Sequence, residues 1–186
     1  MLRRLFVTLC LVVGLVGASL GTAHAATVPP GKWAPELCTA LQDWQTTISA
    51  EGDALTSALE GVTDLKVGRQ QIASFLGRMV TASNSATRAV QRAGMPSTPN
   101  GDKIAAKIVA GLKAASKQFG VAKTKAAKLS TSSLTAFQTG GKKLGQDLSN
   151  AGDEVTKSFN GIDKLDKGKK LENAIKAAPE CAFLSG

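Results

Sequence analysis

Apolar residues recur along this chain at steps of three, four and seven, in four separate runs. The first is Leu37, Leu41, Trp44, Ile48, Leu55 and Leu59, and the second is Ile72, Leu76, Met79, Ser83, Ala86, Val90 and Ala93. The third runs Ile104, Ile108, Leu112, Ala115, Phe119, Ala122, Ala126, Leu129, and the fourth Phe137, Leu144, Leu148, Ala151, Val155, Phe159. Each residue of an α-helix turns about 100° around the axis, so each run forms one apolar stripe on an amphipathic helix. The fold class is therefore all-α.

The punctuation between the stripes is equally regular. "EGVTD" at 60–64 ends the first, "AGMPSTPNGD" at 93–102 places two prolines and two glycines after the second, and "LSTSSLT" at 129–135 offers hydroxyls that can cap a fourth helix. Near-equal helices of roughly 40 Å, at 1.5 Å per residue, joined by short connections favour an up-down-up-down four-helix bundle. Gly140, Gly141 and Gly145 leave the third turn at either of two places, near 130 or near 140, since each glycine costs about 1 kcal/mol inside a helix. Aromatic residues make up only 4% of the chain and Tyr is absent, so the core is built of small residues with few large anchors.

At the N-terminus "MLRR" is followed by the apolar run "LFVTLCLVVGLVGASLG" and by "TAHA", with small residues at Ala23 and Ala25. That is the three-part pattern of a secretory signal peptide, residues 1–25. The strongest apolar part, Leu5 to Leu20, is shorter than the roughly 20 residues a bilayer requires. Cys10 lies behind "VTL", without the small residues that lipidation needs. The expected product is secreted, either extracellular or associated with the cell envelope, and has no integral membrane segment after cleavage. Residues 26–32 are expected to be a flexible N-terminal segment and 33–184 a single helical-bundle domain.

Cleavage leaves two cysteines, Cys38 and Cys181, and an even count in an exported chain reads as a disulfide. The bundle topology is consistent with it, because the start of helix one and the end of helix four lie at the same end. "KGKKLENAIKAAP", stopped by Pro179, is expected to form a short fifth helix that carries Cys181 back to Cys38. Closing so long a loop is worth about 5 kcal/mol on the chain-entropy account.

Trp33, Cys38, Trp44, the "GMP" of 94–96 with Gly101, Leu129 before Phe137, and then Leu171, Ala174, Pro179 and Cys181 form a pattern spanning nearly the whole mature chain. It resembles the small secreted helical-bundle proteins of actinomycete-type bacteria. That group has no assigned activity, so the resemblance implies a fold and export, and it carries over no catalytic residue.

Absences shape the chemistry. The sole histidine, His24, falls in the leader, so imidazole acid-base work and histidine metal sites are excluded from the mature chain. "TGGKKLG" at 139–145 lacks the Gly-Lys-Ser/Thr ending of a phosphate loop. The densest carboxylate clusters are Asp153 with Glu154 and Asp163 with Asp166; the latter misses the calcium-loop pattern and reads as a solvated helix end. The expectation is a protein that is not an enzyme and holds no metal or cofactor.

Charge carries the positive signal. The whole chain has a formal net charge of +9, unevenly spread: residues 33–60 hold five acids and no base, 64–92 five bases and one acid, and 102–129 seven lysines and one acid. Lys103, Lys107, Lys113, Lys117, Lys125 and Lys128 fall within an arc of about 120° of the third helix, a row about 38 Å long nearly opposite Ile108, Leu112 and Phe119. Such a row fits contact with an anionic envelope polymer or lipid surface. It also serves solubility, with attraction to the acidic first helix. Nucleic acid is not expected, because no aromatic residues interleave with the lysines to stack on bases. The functional expectation is a secreted, non-enzymatic, envelope-associated interaction protein. The alternative is a carrier or sensor of a small apolar ligand in the bundle core, suggested by small residues Ser83, Ala86 and Ala93 on helix two. An apolar cavity there would favour the carrier, and a filled core the surface.

Overall fold

The computed structural model describes residues 27–185. The leader read at 1–25, with Cys10 and His24, lies outside the described residues, as do the side chains of Glu154, Val155 and Phe159. Strand β1 (Thr27–Val28) precedes helices α1 (Pro30–Leu59) and α2 (Leu65–Ala93). Strand β2 (Met95–Pro96) then leads to α3 (Gly101–Ala126) and α4 (Leu134–Phe159), followed by the short α5 (Ile162–Leu165) and α6 (Lys170–Ala177) and a 3₁₀ helix, Pro179–Ser185. The described chain is thus mostly helical.

Secondary structure reaches into 26–32, the segment read as a flexible lead-in. Pro30 stands at the start of α1, where its missing N–H costs nothing, so the helix begins before its apolar stripe does. Thr27 and Val28 run parallel to Met95 and Pro96 and tie this lead-in to the α2–α3 connection.

Local chemistry sets the other helix ends. The Asp64 carboxylate accepts from the Lys66 amide at 2.8 Å at the head of α2, and the Ser133 hydroxyl accepts from the Ala136 amide at 3.2 Å at the head of α4. α2 stops at Gly94, whose φ of 79° is one that L-residues rarely adopt. Asp166 accepts from the amides of both Leu171 and Glu172 at 2.9 Å, holding the first turn of α6.

The third turn lies near 130, between Ala126 and Leu134, and all three glycines of the alternative sit inside α4. Gly140 has a packing reason to be there: a Cβ on it would lie 2.8 Å from the Leu129 side chain. Gly141 and Gly145 face open space.

Along α1 and α2 the contacts proceed in opposite directions: Trp33 donates to the Gly94 carbonyl at 3.0 Å, Trp44 to the Ser83 hydroxyl at 3.1 Å, and Glu51 pairs with Arg78. α2 and α3 meet through Asn84 with Ser116 and Val80 beside Gly120, and α3 and α4 through Lys125 with Asp147. α6 and the 3₁₀ helix pack back onto α1.

Two larger apolar clusters result, beside a small one around Cys38 and Cys181. One joins Trp33, Leu37 and Ala40 of α1 to Ala86 and Val90 of α2, to Ile104, Ala105, Ile108 and Leu112 of α3, and to Leu171 of α6. The other joins Leu76, Ala122, Ala126, Leu129 and Leu144, towards the opposite ends of α2 and α3. Full burial of one such leucine or isoleucine contributes roughly 1.5–3 kcal/mol. Every buried residue of α1 lies at or before Ala40, so its second half rests on α2 alone and leaves its outer side in water. Cys38 and Cys181 are joined by a disulfide across a sequence separation of 143, with Cα atoms 5.1 Å apart.

Candidate functional site

Five of the six lysines, Lys103, Lys107, Lys113, Lys117 and Lys125, stand on α3, a helix gripped from two sides. The sixth, Lys128, lies in the turn after it, because the helix ends at Ala126 instead of running through the whole row. On its α2 side Ser116 donates to the Asn84 carboxamide oxygen at 2.8 Å, and the aliphatic chain of Lys123 lies over Gly77. Lys123 falls outside the 120° arc by its helical angle, and the structure gives it this packing task. On the α4 side Ala122 enters the second core and Lys125 bonds Asp147. The arc between these two seams faces solvent.

Within that arc the lysines divide. Lys107 is half-buried and its Nζ donates to the Asn160 carbonyl at 2.9 Å, while Lys125 Nζ meets Asp147 Oδ2 at 2.7 Å. Both link α3 to α4 or its end. Lys103, Lys113, Lys117 and Lys128 are exposed, and their ammonium groups make no hydrogen bond or ion pair with any described residue. The row remains, reduced to four unpaired charges.

Neutralisation by the acidic first helix, one use foreseen for the lysines, is not how the described charges pair. Glu51 of α1 meets Arg78 of α2, and the carboxylate that reaches α3 is Asp147 of α4. The Lys125 hydrogen bond holds the Asp147 carboxyl below its usual range, and the charges of Lys125 and Lys143 add to the effect against some desolvation. Lys113 and Lys117, one turn apart on the exposed row, repel each other by about 0.2–0.5 kcal/mol as an i,i+4 like-charge pair. Helix stability alone does not call for that spacing.

Of the small residues of α2, Ser83 is fully buried and takes the Trp44 indole hydrogen bond, Ala86 is buried in the first core cluster with one edge on a surface cleft, and Ala93 is half-buried on the rim of that cleft's extension. Outside the core, sequence reasoning missed a cleft between α1 and α2. It has a volume of about 510 Å³, an alanine floor of Ala40, Ala82 and Ala89, and Trp44, Asp43, Arg78 and Arg92 on its walls. A second cleft of about 520 Å³ shares Ala40, Asp43, Ala89 and Arg92 and extends it towards Val28 and Glu36. The readable signal was charge spacing, with Glu36 and Asp43 two turns apart on one helix and Arg78 and Arg92 four turns apart on the other.

Among the described residues no group of three or more His, Cys, Asp or Glu side chains is placed to hold a metal ion, and no helix is long and apolar enough to cross a membrane. Asp163 and Asp166 do not act together, since Asp166 is occupied by the α6 amides. No protein-family model, curated protein or solved structure matches this chain.

Proposed function

We propose that this chain is a secreted, non-enzymatic interaction protein of the bacterial cell envelope, and that α3 is its contact surface for an anionic polymer or an anionic lipid surface. One observation carries the reading: Lys103, Lys113 and Lys117 along one edge of α3, and Lys128 in the turn after it, present exposed ammonium groups with no carboxylate of the described chain paired to them. A row that runs about 21 Å along the helix, at 1.5 Å per residue, and continues to Lys128 beyond it suits the repeating charge of a linear polyanion or a headgroup plane. Export follows from the leader pattern and from the resemblance to secreted helical proteins of actinomycete-type bacteria. The architecture that displays the row is an up-down-up-down four-helix bundle, supported by the antiparallel contacts between successive long helices.

Retention of the purified protein on envelope fractions, measured against rising salt, tests this reading. Recovery of the protein with either polymer or lipid at low salt, and its release at high salt, is the expected outcome. Retention that ignores salt is the contrary one, because contacts to exposed charges are screened over about 8 Å at 0.15 M.

The carrier alternative has one feature in its favour, the alanine-floored cleft beside Trp44. It lies open on the outer side of α1 and α2, whereas small-molecule sites bury about 70–90% of their ligand. Of the three residues that suggested a core ligand, Ser83 is packed away, while Ala86 and Ala93 border this open cleft and its extension.

A further inference from the structure

We propose that the groove between α1 and α2 binds a second copy of this chain, with α1 of each copy lying over α2 of the other. The groove is continuous, because its two halves share Ala40, Asp43, Ala89 and Arg92. Its walls are sorted by charge. α1 contributes the acids Glu36, Asp43 and Glu51, with one base, Lys32, near its head, and α2 contributes only bases, Arg78 and Arg92. Glu51 and Arg78 already pair within the chain, but Glu36, Asp43 and Arg92 are exposed and form no ion pair among the described residues.

That sorting selects one geometry. A closed dimer joins the same face of both copies about a two-fold axis. An axis perpendicular to the helices would lay α1 on α1, acid against acid, and α2 on α2, base against base. An axis parallel to the helices lays α1 on α2 and keeps every residue at its own level. The level is known from the intrachain contacts: Trp33 stands opposite Gly94 and Trp44 opposite Ser83. Glu36 of one copy therefore comes level, to within about a residue, with Arg92 of the other. The symmetry makes this pair twice. The alanine floor lets the two hairpins approach closely, and the product is an antiparallel four-helix arrangement at the interface. α3 packs on a different side of α2, so this contact is independent of the lysine row.

Sedimentation velocity across a range of concentrations, at low and at high salt, tests the proposal with the purified protein and two charge-reversed variants. One carries Glu36→Lys and Asp43→Lys, the other Arg92→Glu. The wild type is expected to dimerise at low salt and to dissociate at high salt. Each variant alone is expected to raise the dimer dissociation constant by at least about tenfold, and an equal mixture of the two to restore association as a heterodimer. Circular dichroism melting establishes that each variant is folded; should a reversal unfold the chain, the neutral Glu36→Gln with Asp43→Asn variant replaces it and is expected to weaken the dimer in the same direction. A wild type that stays monomeric leaves the groove to some other occupant and overturns the proposal. So does a dimer that both variants form as well as the wild type, or a mixture that fails to associate.

Discussion

The indole N–H of Trp44, midway along α1, donates a 3.1 Å hydrogen bond to the hydroxyl of Ser83, midway along α2. It joins the two helices beyond the point where α1 has its last buried residue, Ala40. Ser83 is fully buried, so its hydroxyl has no water to turn to when the donor is removed. Trp44→Phe is expected to lower unfolding free energy by about 1–3 kcal/mol, the cost of leaving a buried polar group without its partner. Ser83→Ala combined with Trp44→Phe should cost less than the two changes added separately, since one shared bond is lost. Urea titration of the three variants measures this, and full additivity would deny the coupling.

Two glycines give opposite expectations from the same substitution. A Cβ on Gly101 would fall 1.8 Å from the Pro96 carbonyl oxygen, where the chain turns from β2 into α3. Gly101→Ala is therefore expected to destabilise by at least about 1–3 kcal/mol, through forced backbone movement. Gly141, inside α4, has nothing within 4 Å of the same atom. Gly141→Ala should stabilise by about 0.5–1 kcal/mol, as helix propensity dictates. Thermal melts of both decide the matter.

Reduction of the Cys38–Cys181 bridge should act first on the C-terminal elements. α6 and the 3₁₀ helix pack back on α1, and Cys181 sits with Cys38 and Ala34 in a small cluster of its own. Hydrogen exchange of residues 170–185 is expected to accelerate before that of α2 and α3, and the Cys38→Ser, Cys181→Ser double variant should lose up to about 5 kcal/mol while keeping its helices. Uniform acceleration throughout the chain would mean that the bridge holds the whole core.

Most of the helical scaffold was legible because periodicity reports which face of a helix is buried. The turns at 60–64 and 93–102 were readable from glycine and proline. The third turn was not, because a glycine that breaks a helix and one that makes room for a neighbour look alike in sequence: Gly140 belongs to the second kind, with Leu129 against it. The strand pairing of Thr27–Val28 with Met95–Pro96 had no signal, being two residues long and made by contact distant in the chain. At the candidate site the angular arc assumed one helix through Lys128, whereas α3 ends at Ala126 and only the first five lysines stand on it. It could not separate Lys107 and Lys125 from the other four, because their partners, Asn160 and Asp147, belong to elements whose placement the arc does not contain.

Acid should loosen the seam between α3 and α4. The Asp147 carboxyl is held below its ordinary value of 3.8 by the Lys125 hydrogen bond, so the folded state favours its ionised form. Stability from this pair is full above the unfolded-state value and is lost as pH falls through the lower folded one. Nuclear magnetic resonance titration of Asp147 is expected to show the depressed midpoint, and Lys125→Gln to move it back up. An Asp147 midpoint unaffected by Lys125→Gln would contradict the assignment.

The central claim, that the exposed lysines of α3 and the turn after it are a binding surface, is tested most directly by reversing the four unpaired ones together. A variant carrying Lys103→Glu, Lys113→Glu, Lys117→Glu and Lys128→Glu should be compared with the wild type for binding to anionic vesicles and to an anionic polymer, with the melting temperature recorded for both. A basic residue near an anionic surface is worth about 1 kcal/mol, so loss of four predicts a fall in affinity of about a thousandfold for whichever of the two targets the wild type binds. The melting temperature should hold, since the four positions are exposed and the repulsion between Lys113 and Lys117 is exchanged for a similar one between two glutamates. Binding that survives the fourfold reversal unchanged would contradict the account.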